Sequence, residues 1–332
     1  MNLTDISRKL HISRRTISRA LYNEGYIDRA KKDRIIRYLN RINYRPRVRG
    51  SIRAGKGASL IALVMPSNVF NTIDFMLVEV IKTLNSVLIK NGYNILLLDE
   101  YEFDYQRLID MRNSKLIAGA VISSPVRIVP AALDKLKKGK LPVVMVFSRN
   151  DDFDSFAVDN ARGGYMAAKY LIDKGKKTIA FLHGRPDWPD AADRFMGFRK
   201  ALDEAGIKVY SDLIKDAYFD YNKARDVVRV LISQKRIPDA IFAANDKMAM
   251  GAIAAIKEKG LDIPGNIAVI GYDNIPEANF TSPPLSTIAM PMRDVVEKAA
   301  KRLLVKLENR NTGNESPMMY GSIPELVLRE SA

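Results

Sequence analysis

Residues 2–21 read Asn2-Leu3-Thr4-Asp5-Ile6-Ser7-Arg8-Lys9-Leu10-His11-Ile12-Ser13-Arg14-Arg15-Thr16-Ile17-Ser18-Arg19-Ala20-Leu21. Asn2 can cap a helix with Asp5 as its reciprocal partner, and Ile6 and Leu10 then share one face a turn apart. The break at His11-Ile12 is followed by Ser13, a good N-cap. A second helix then turns Ile17 and Leu21 inward while Arg14, Arg15, Thr16, Ser18 and Arg19 crowd its other faces. Working outward, a third helix starts from the cap Asp28, buries Ile35, Leu39 and Ile42, and stops before Tyr44-Arg45-Pro46, because proline cannot continue it. Together the three complete a small helical core.

Charge singles out the same segment. Residues 1–56 hold 16 Lys or Arg against 4 Asp or Glu, a net of +12 out of +15 for the whole chain, and the other 276 residues carry only +3. A basic head on a nearly neutral body is the footprint of a segment that grips phosphate. A helix set in the major groove meets base edges with its N-terminal residues, and an Arg there can donate two hydrogen bonds to guanine. Arg14 and Arg15 occupy that place. Isolated charges on short helices usually do no more than solvate a surface, but this density between two caps points to double-stranded DNA.

A length of 332 residues suits two or three folding units at about 150 residues each. With 47% apolar and 27% charged residues the chain reads as soluble and globular, and no apolar run reaches membrane length. No apolar run with a small-residue cleavage site opens the chain, so the expected location is the cytoplasm. Zero Cys, and two His far apart at 11 and 183, leave no disulfide, thiol nucleophile or metal-ligand spacing. No metal or cofactor is therefore expected.

From residue 60 short apolar runs alternate with longer amphipathic segments. The runs Leu60–Met65, Ile95–Leu98, Ile117–Ile122, Val143–Phe147, Thr178–Leu182, Ala240–Ala244 and Ala268–Gly271 predict buried parallel strands. Phe75–Lys90, Tyr165–Asp173, Arg194–Glu204 and Met248–Lys259 show helical spacing between them. Repeated β-α-β units make doubly wound sheets, and so many elements exceed one sheet of about five or six strands. The predicted fold class is α/β: an all-α helix-turn-helix head and a body of two doubly wound parallel-sheet lobes.

Ligands of such sheets bind beyond the carboxyl ends of the strands, where Ser123, Asn245 with Asp246, and Asp273 stand. Arg194 offers a fixed fork of donors, Phe219 or Trp188 can cover the apolar face of a ring, and Asp74 can face the cleft from the other lobe. Carboxylates and amides toward several hydroxyls suit a sugar. Each residue also has a plainer reading: Asp273, Asp74 and Asn245 as helix caps, Trp188 as a loop cover, Phe219 as core.

The head from Asp5-Ile6 through Ser13-Arg14-Arg15-Thr16-Ile17-Ser18-Arg19-Ala20-Leu21, with Asn23-Glu24-Gly25-Tyr26-Ile27-Asp28 and Asn43-Tyr44-Arg45-Pro46, resembles that of the LacI/GalR family of bacterial transcription regulators. The resemblance covers nearly the whole chain. In the body it rests on Val158-Asp159-Asn160-Ala161-Arg162-Gly163-Gly164, Arg194-Phe195-Met196-Gly197-Phe198, Asn245-Asp246-Lys247-Met248-Ala249-Met250-Gly251, Gly271-Tyr272-Asp273-Asn274 and Pro283-Pro284-Leu285-Ser286-Thr287. It implies that Arg14, Arg15 and Arg19 address bases while Ser13, Thr16, Ser18 and Tyr44 hold phosphates. It also implies a periplasmic-binding-protein-like body crossed near Val158, Ala289 and Met319.

The domains implied are 1–46 for the head, 47–59 for the linker and 60–332 for effector binding and dimerisation. The first lobe would take about 60–158 and 290–318, the second about 159–289 and 319–332. In the family the linker forms a hinge helix on DNA and wedges a Leu into the minor groove. Here it is one residue shorter, has Gly50 where Ala is usual, and offers Ile52 as the nearest wedge. His11 stands where the family has Gly, which the left-handed tolerance of His allows, and Tyr22 stands where Asn is common.

The leading reading is a non-enzymatic, homodimeric repressor of carbohydrate-utilisation genes whose operator affinity follows a sugar bound between the lobes. A purine- or other metabolite-responsive regulator of the same fold is the alternative, and a transport-type sugar receptor is disfavoured by the basic head. Neither a dinucleotide fingerprint after residue 60 nor a phosphate-loop pattern supports an enzyme, and Gly163-Gly164 reads as close helix packing.

Overall fold

The computed structural model describes residues 3–22, 27–42, 58–65, 75–99, 104–123, 128–308 and 316–332. The expectations for Asn2, Tyr44, Ile52 and Asp74, and for the linker before Ala58, fall outside those residues. Two compact units divide the chain, Met1–Gly55 and Lys56–Ala332.

The first unit holds α1 (Leu3–Leu10), α2 (Arg14–Tyr22) and α3 (Arg29–Arg41). Ser13 Oγ accepts the Thr16 N–H at 3.1 Å and Asp28 Oδ1 accepts the Lys31 N–H at 3.0 Å, so both expected caps form. Each cap stabilises its helix by about 1 kcal/mol. His11, at φ 55°, supplies the left-handed step between α1 and α2. Ile6, Leu10, Ile12, Ile17, Ile35 and Leu39 are buried together with Ala20 as the core of this unit.

The second unit is built on two sheets. The first contains β1 (Leu60–Met65), β2 (Asn94–Asp99), β3 (Ile117–Ser123), β4 (Val143–Val146), β5 (Asp154–Val158) and β11 (Met319–Ser322). They lie in the order β11-β5-β4-β3-β1-β2, all parallel. The second contains β6 (Ile179–His183), β7 (Ile214–Asp216), β8 (Ala240–Ala243), β9 (Ala268–Asp273), β10 (Ser286–Ala289) and β12 (Glu325–Val327). Its order is β12-β10-β9-β8-β6-β7, and β12 alone runs antiparallel, against β10.

Every residue of β3 and β8 is buried, as parallel strands covered on both faces must be. Helices α4 (Phe75–Leu88), α5 (Gln106–Asn113), α6 (Pro130–Lys138) and α11 (Met292–Glu308) accompany the first sheet. The second is accompanied by α7 (Asn160–Asp173), α8 (Pro189–Glu204), α9 (Tyr221–Leu231) and α10 (Asp246–Glu258).

One expected boundary is corrected. Met319–Ser322 does not join the second lobe; it pairs in parallel with Ser155–Val158 in the first sheet, and the chain crosses after Ser322. The cause is Asp154, whose buried carboxylate accepts hydrogen bonds from Met318 N at 2.7 Å, Lys306 Nζ at 2.7 Å and Arg302 Nε at 3.0 Å. Burial alone would raise the Asp154 carboxyl, yet these donors hold it below its ordinary value. The three crossings lie side by side: Asp159 N donates to Ser322 O at 2.8 Å, and Ser322 Oγ donates to Asp294 at 3.0 Å.

Helices α7 and α8 touch through glycine. A Cβ on Gly164 would stand 2.0 Å from the Arg194 carbonyl oxygen, and one on Gly197 would stand 1.8 Å from that of Ala161. No other residue permits this approach, which lays Arg194 across the first turn of α7.

Candidate functional site

On the head, α2 buries Ile17 and leaves Ser13, Arg14 and Arg15 exposed, with Thr16 and Arg19 half-buried. No acidic residue stands in its first turn to neutralise the two arginines. Ser13 Oγ also lies 2.8 Å from Thr16 Oγ1, so these hydroxyls sit together at the helix N-terminus, where backbone N–H groups favour an anion. Ser18 belongs to the same helix. The surface can place two guanidinium forks on base edges and hydroxyls on phosphate.

In the body the structure brings Arg194, Asp273, Phe219 and Trp188 to one end of the second sheet. Arg194 Nε donates to Asn160 Oδ1 at 2.9 Å, and Nη1 donates to the Ala244 carbonyl at 2.5 Å and to Asp273 Oδ1 at 3.4 Å. Its guanidinium carbon lies 3.8 Å from the centre of the Tyr272 ring and 6.0 Å from that of Phe219. Arg194 Nη2 lies 3.6 Å from Met290 Sδ, at the crossing between β10 and α11. The arginine is thus a buried tie among α7, the ends of β8 and β9, and an interlobe crossing.

Asp273 and Asn274 take φ 113° and 58°, left-handed values that non-glycine residues adopt at a cost of about 1–3 kcal/mol. Asp246 holds this turn from below, accepting from Ile275 N at 2.9 Å and from Thr287 Oγ1 at 2.5 Å. Burial pushes the Asp246 carboxyl up to about 7 against those hydrogen bonds and the more distant Arg329. Arg329 Nη2 secures the turn from outside by donating to Asn274 Oδ1 at 2.8 Å. Backbone strain held by surrounding bonds in this way presents the Asp273 carboxylate beside Arg194.

Trp188 and Phe219 meet with ring centres 5.4 Å apart at 45°. Tyr218 and Phe219 both have positive φ, 54° and 62°, and the Phe219 ring lies over Gly184, where a Cβ would come within 2.1 Å of it. A cavity of about 500 Å3 is lined by Asp273, Asn274 and Met290 and, from the other lobe, by Phe75 and Glu79, and neither Trp188 nor Phe219 lines it.

Two expected residues stand apart from the arginine cluster. Asn245 Oδ1 caps α10 by accepting the Met248 N–H at 2.9 Å, so its cap reading holds in the structure. Ser123 is buried at the end of β3 in the first sheet. Four residues the sequence reading passed over belong to the site: Asn160, Tyr272, Asp190 and Asp193. Their signal was spacing, since Asp190 and Asp193 precede Arg194 by four residues and by one on the same helix. Burial pushes the Asp190 carboxyl up to about 6, with Arg194 opposing and Asp193 adding to the rise. Asp193 is raised too, by burial first, with Arg149 opposing and Asp159 adding. Burial likewise raises the Tyr272 hydroxyl.

Among the described residues no cluster of three or more His, Cys, Asp or Glu could hold a metal, and no helix is long and apolar enough to cross a membrane.

A periplasmic binding protein-like domain matches residues 168–332. Over 338 residues the chain is 31% identical to the HTH-type transcriptional repressor PurR of Photobacterium profundum, covering 99% of this chain and 98% of that one. A regulatory protein of the LacI family from Chloroflexus aggregans superposes with a TM-score of 0.74 at 27% identity, over 82% of this chain and 98% of the other. The transcriptional regulator CelR in complex with cellobiose shares the fold at a TM-score of 0.74 and 22% identity, with both chains covered fully.

Proposed function

The chain belongs to the LacI/GalR family of DNA-binding transcription regulators, and from that premise we propose that it is a repressor of carbohydrate-utilisation genes controlled by a sugar held between its lobes. It acts in the cytoplasm, as a homodimer and without catalysis. One head reads only a few base pairs, and two heads on adjacent helical turns read a near-palindrome. Arg14, Arg15 and Arg19 address bases; Ser13, Thr16, Ser18 and Tyr44 hold phosphates; Ile52 is the wedge of the linker.

The observation that carries the sugar reading is the Arg194–Asp273 pair set beside the Trp188–Phe219 pair at the carboxyl ends of the strands. A carboxylate accepts from hydroxyls and a guanidinium donates to ring or hydroxyl oxygens. The two aromatic rings touch each other at a tilt, so a flat base finds no parallel slot between them, while a pyranose can lie against one face. That geometry favours sugar over purine. CelR, of the same fold, is a regulator bound to cellobiose. Ser123 and Asn245, with Asp74 just before α4 in the sequence, complete the proposed set of sugar-binding residues.

Sugar binding transmits free energy to operator affinity reciprocally, typically about 1–3 kcal/mol. The test is selection of bound fragments from genomic DNA, followed by mobility shifts with mono- and disaccharides. One sequence should be preferred over scrambled duplex, and at least one sugar should change that affinity by about fivefold or more. Arg15→Ala should lose about 1–3 kcal/mol of discrimination at a single operator position. Binding that ignores sequence, or ignores every sugar, refutes the corresponding half of the proposal.

A further inference from the structure

Three segments lead into the first sheet at its amino end, and none of them contains Asp or Glu: residues 89–93 before β2, 112–116 before β3 and 135–141 before β4. Lys90, Lys115, Lys138 and Lys140 are exposed there, and Arg112 is half-buried. None of these five enters an ion pair among the described residues, whereas the neighbouring Lys135 is paired with Asp104 and Lys137 with Asp152.

Two of these lysines stand where the backbone favours glycine. Lys115 and Lys140 follow the C-terminal ends of α5 and α6 at φ 58° and 47°, donating their backbone N–H groups to Arg112 O at 3.0 Å and to Lys137 O at 3.2 Å. The second lobe builds the same helix ends after α7, α8 and α10 with Gly175, Gly206 and Gly260, at φ 82°, 66° and 70°. Glycine takes this conformation without the clash of a Cβ, so each lysine is held at a cost that its counterparts escape. Favourable charge at a helix C-terminus does not account for them, because Arg112 in α5 and Lys135, Lys137 and Lys138 in α6 already supply it within the last turn. The strained lysines point to a partner outside the chain.

Their place in the fold selects that partner. β1 starts at Leu60 beside Asn94 of β2 and Ile117 of β3, and Asn94 N donates to Ser59 O at 2.9 Å, so the linker joins the body among these segments. Strands β4, β3, β1 and β2 are neighbours at a spacing of about 4.8 Å, which sets their starts within about 15 Å of one another. Residues 43–57 lead back to the head and can stretch no further than about 50 Å. A duplex gripped by the head is thus tethered near a surface of opposite charge, and DNA offers a phosphate about every 1.7 Å along its axis.

We propose that this end of the first lobe is a second DNA-binding surface, on which Lys90, Arg112, Lys115, Lys138 and Lys140 hold backbone phosphates of the duplex that the head reads. The inference rests on the head binding DNA and adds a contact made by the body. Phosphate contacts fix position without reading sequence, so this surface strengthens operator and unrelated duplexes alike. Part of the grip on DNA then belongs to the sensing body itself.

The experiment measures binding of the full chain by fluorescence anisotropy, across a salt series, to its selected operator in a long duplex and to a scrambled duplex of the same length. Lys115→Gly with Lys140→Gly removes two charges and relieves the backbone. Its melting temperature should hold or rise, while affinity for both duplexes falls by about tenfold at about 0.1 M salt and the slope of log K against log salt shrinks by about 2. Lys90→Gln with Lys138→Gln, at positions without positive φ, should move affinity and slope in the same direction. Lys174→Gln with Lys177→Gln, an equal charge change before β6 in the second lobe, should stay within about twofold of the parent. Arg15→Ala should lose operator preference and keep the lysine-dependent part of the slope. A parent that binds DNA, with both lysine variants matching it in affinity and slope or with an equal loss in the second-lobe control, overturns this surface alone. A parent that binds neither duplex overturns the DNA-binding head and this surface with it.

Discussion

Replacing Arg194 by Met separates two roles that a buried arginine in a ligand cleft can have. Met preserves length and apolar volume but removes every guanidinium donor. The lost bonds run to Asn160 Oδ1, the Ala244 carbonyl and the Asp273 carboxylate, together with the face of Tyr272 at 3.8 Å. Hydrogen bonds to charged groups contribute about 1.5–3 kcal/mol each, and breaking a buried ion pair costs about 3–5 kcal/mol. The contributions do not add, because Asp273 keeps 13% of its side chain exposed and its contact is long at 3.4 Å. Water recovers part of that partner's loss, and a net of about 3 kcal/mol follows.

For a body of this size each kcal/mol moves the melting temperature by about 2 °C, so a fall of about 6 °C is expected. Circular dichroism melting of the full chain at neutral pH measures it, and sugar titration of the same protein below its transition should show no response. A melting temperature unchanged within about 1 °C would refute the reasoning, because it would mean that Arg194 is a free ligand arm and not a tie between α8 and the strand ends.

Gly184→Ala tests the aromatic pair. The new Cβ would stand 2.1 Å from the Phe219 ring, so the ring must leave Trp188, and sugar affinity should fall by about tenfold through a loss of about 1.4 kcal/mol. Trp188 is the only tryptophan of the chain, so its emission reports the change directly, and an unaltered spectrum with unaltered affinity contradicts the placement. Asp246→Asn tests the buried carboxylate. The ordinary carboxyl value is 3.8 and burial lifts the folded one to about 7, so between those values the folded state holds the extra proton. Raising the pH strips it, and stability falls across that window. Melting temperatures of the parent should therefore decline relative to Asp246→Asn from about pH 4 to pH 7, and parallel curves would remove Asp246 as the cause.

What the sequence made legible follows from how local each determinant is. Ser13 and Asp28 cap helices through N–H groups three residues away, so the head could be read without its tertiary contacts. Strands β1, β3 and β8 are apolar runs buried on both faces, a signal that needs no partner to be seen. Strands β7, β11 and β12 are three or four residues long and mostly half-buried or exposed, with no such run. At the site, Arg194 was legible by its chemistry, but its partners lie 34, 50 and 79 residues away and are chosen by the fold. Asp190 and Asp193 offered only a spacing, and the fold set that turn of α8 in one cavity with Met145 and Phe147.

The misplaced strand shows the same rule at its sharpest. Nothing in Met319-Tyr320-Gly321-Ser322 states which sheet it joins, because its neighbours in sequence lead equally into either lobe. The choice is made by Asp154, 164 residues before the Met318 N–H that it accepts, and by the two cations of α11 that neutralise it. The determinant is therefore a buried charge and not an apolar pattern. Substituting Asp154 removes the buried anion that Arg302 and Lys306 share, and it should free the edge strand and the crossing beside it more effectively than any change within Met319–Ser322 itself.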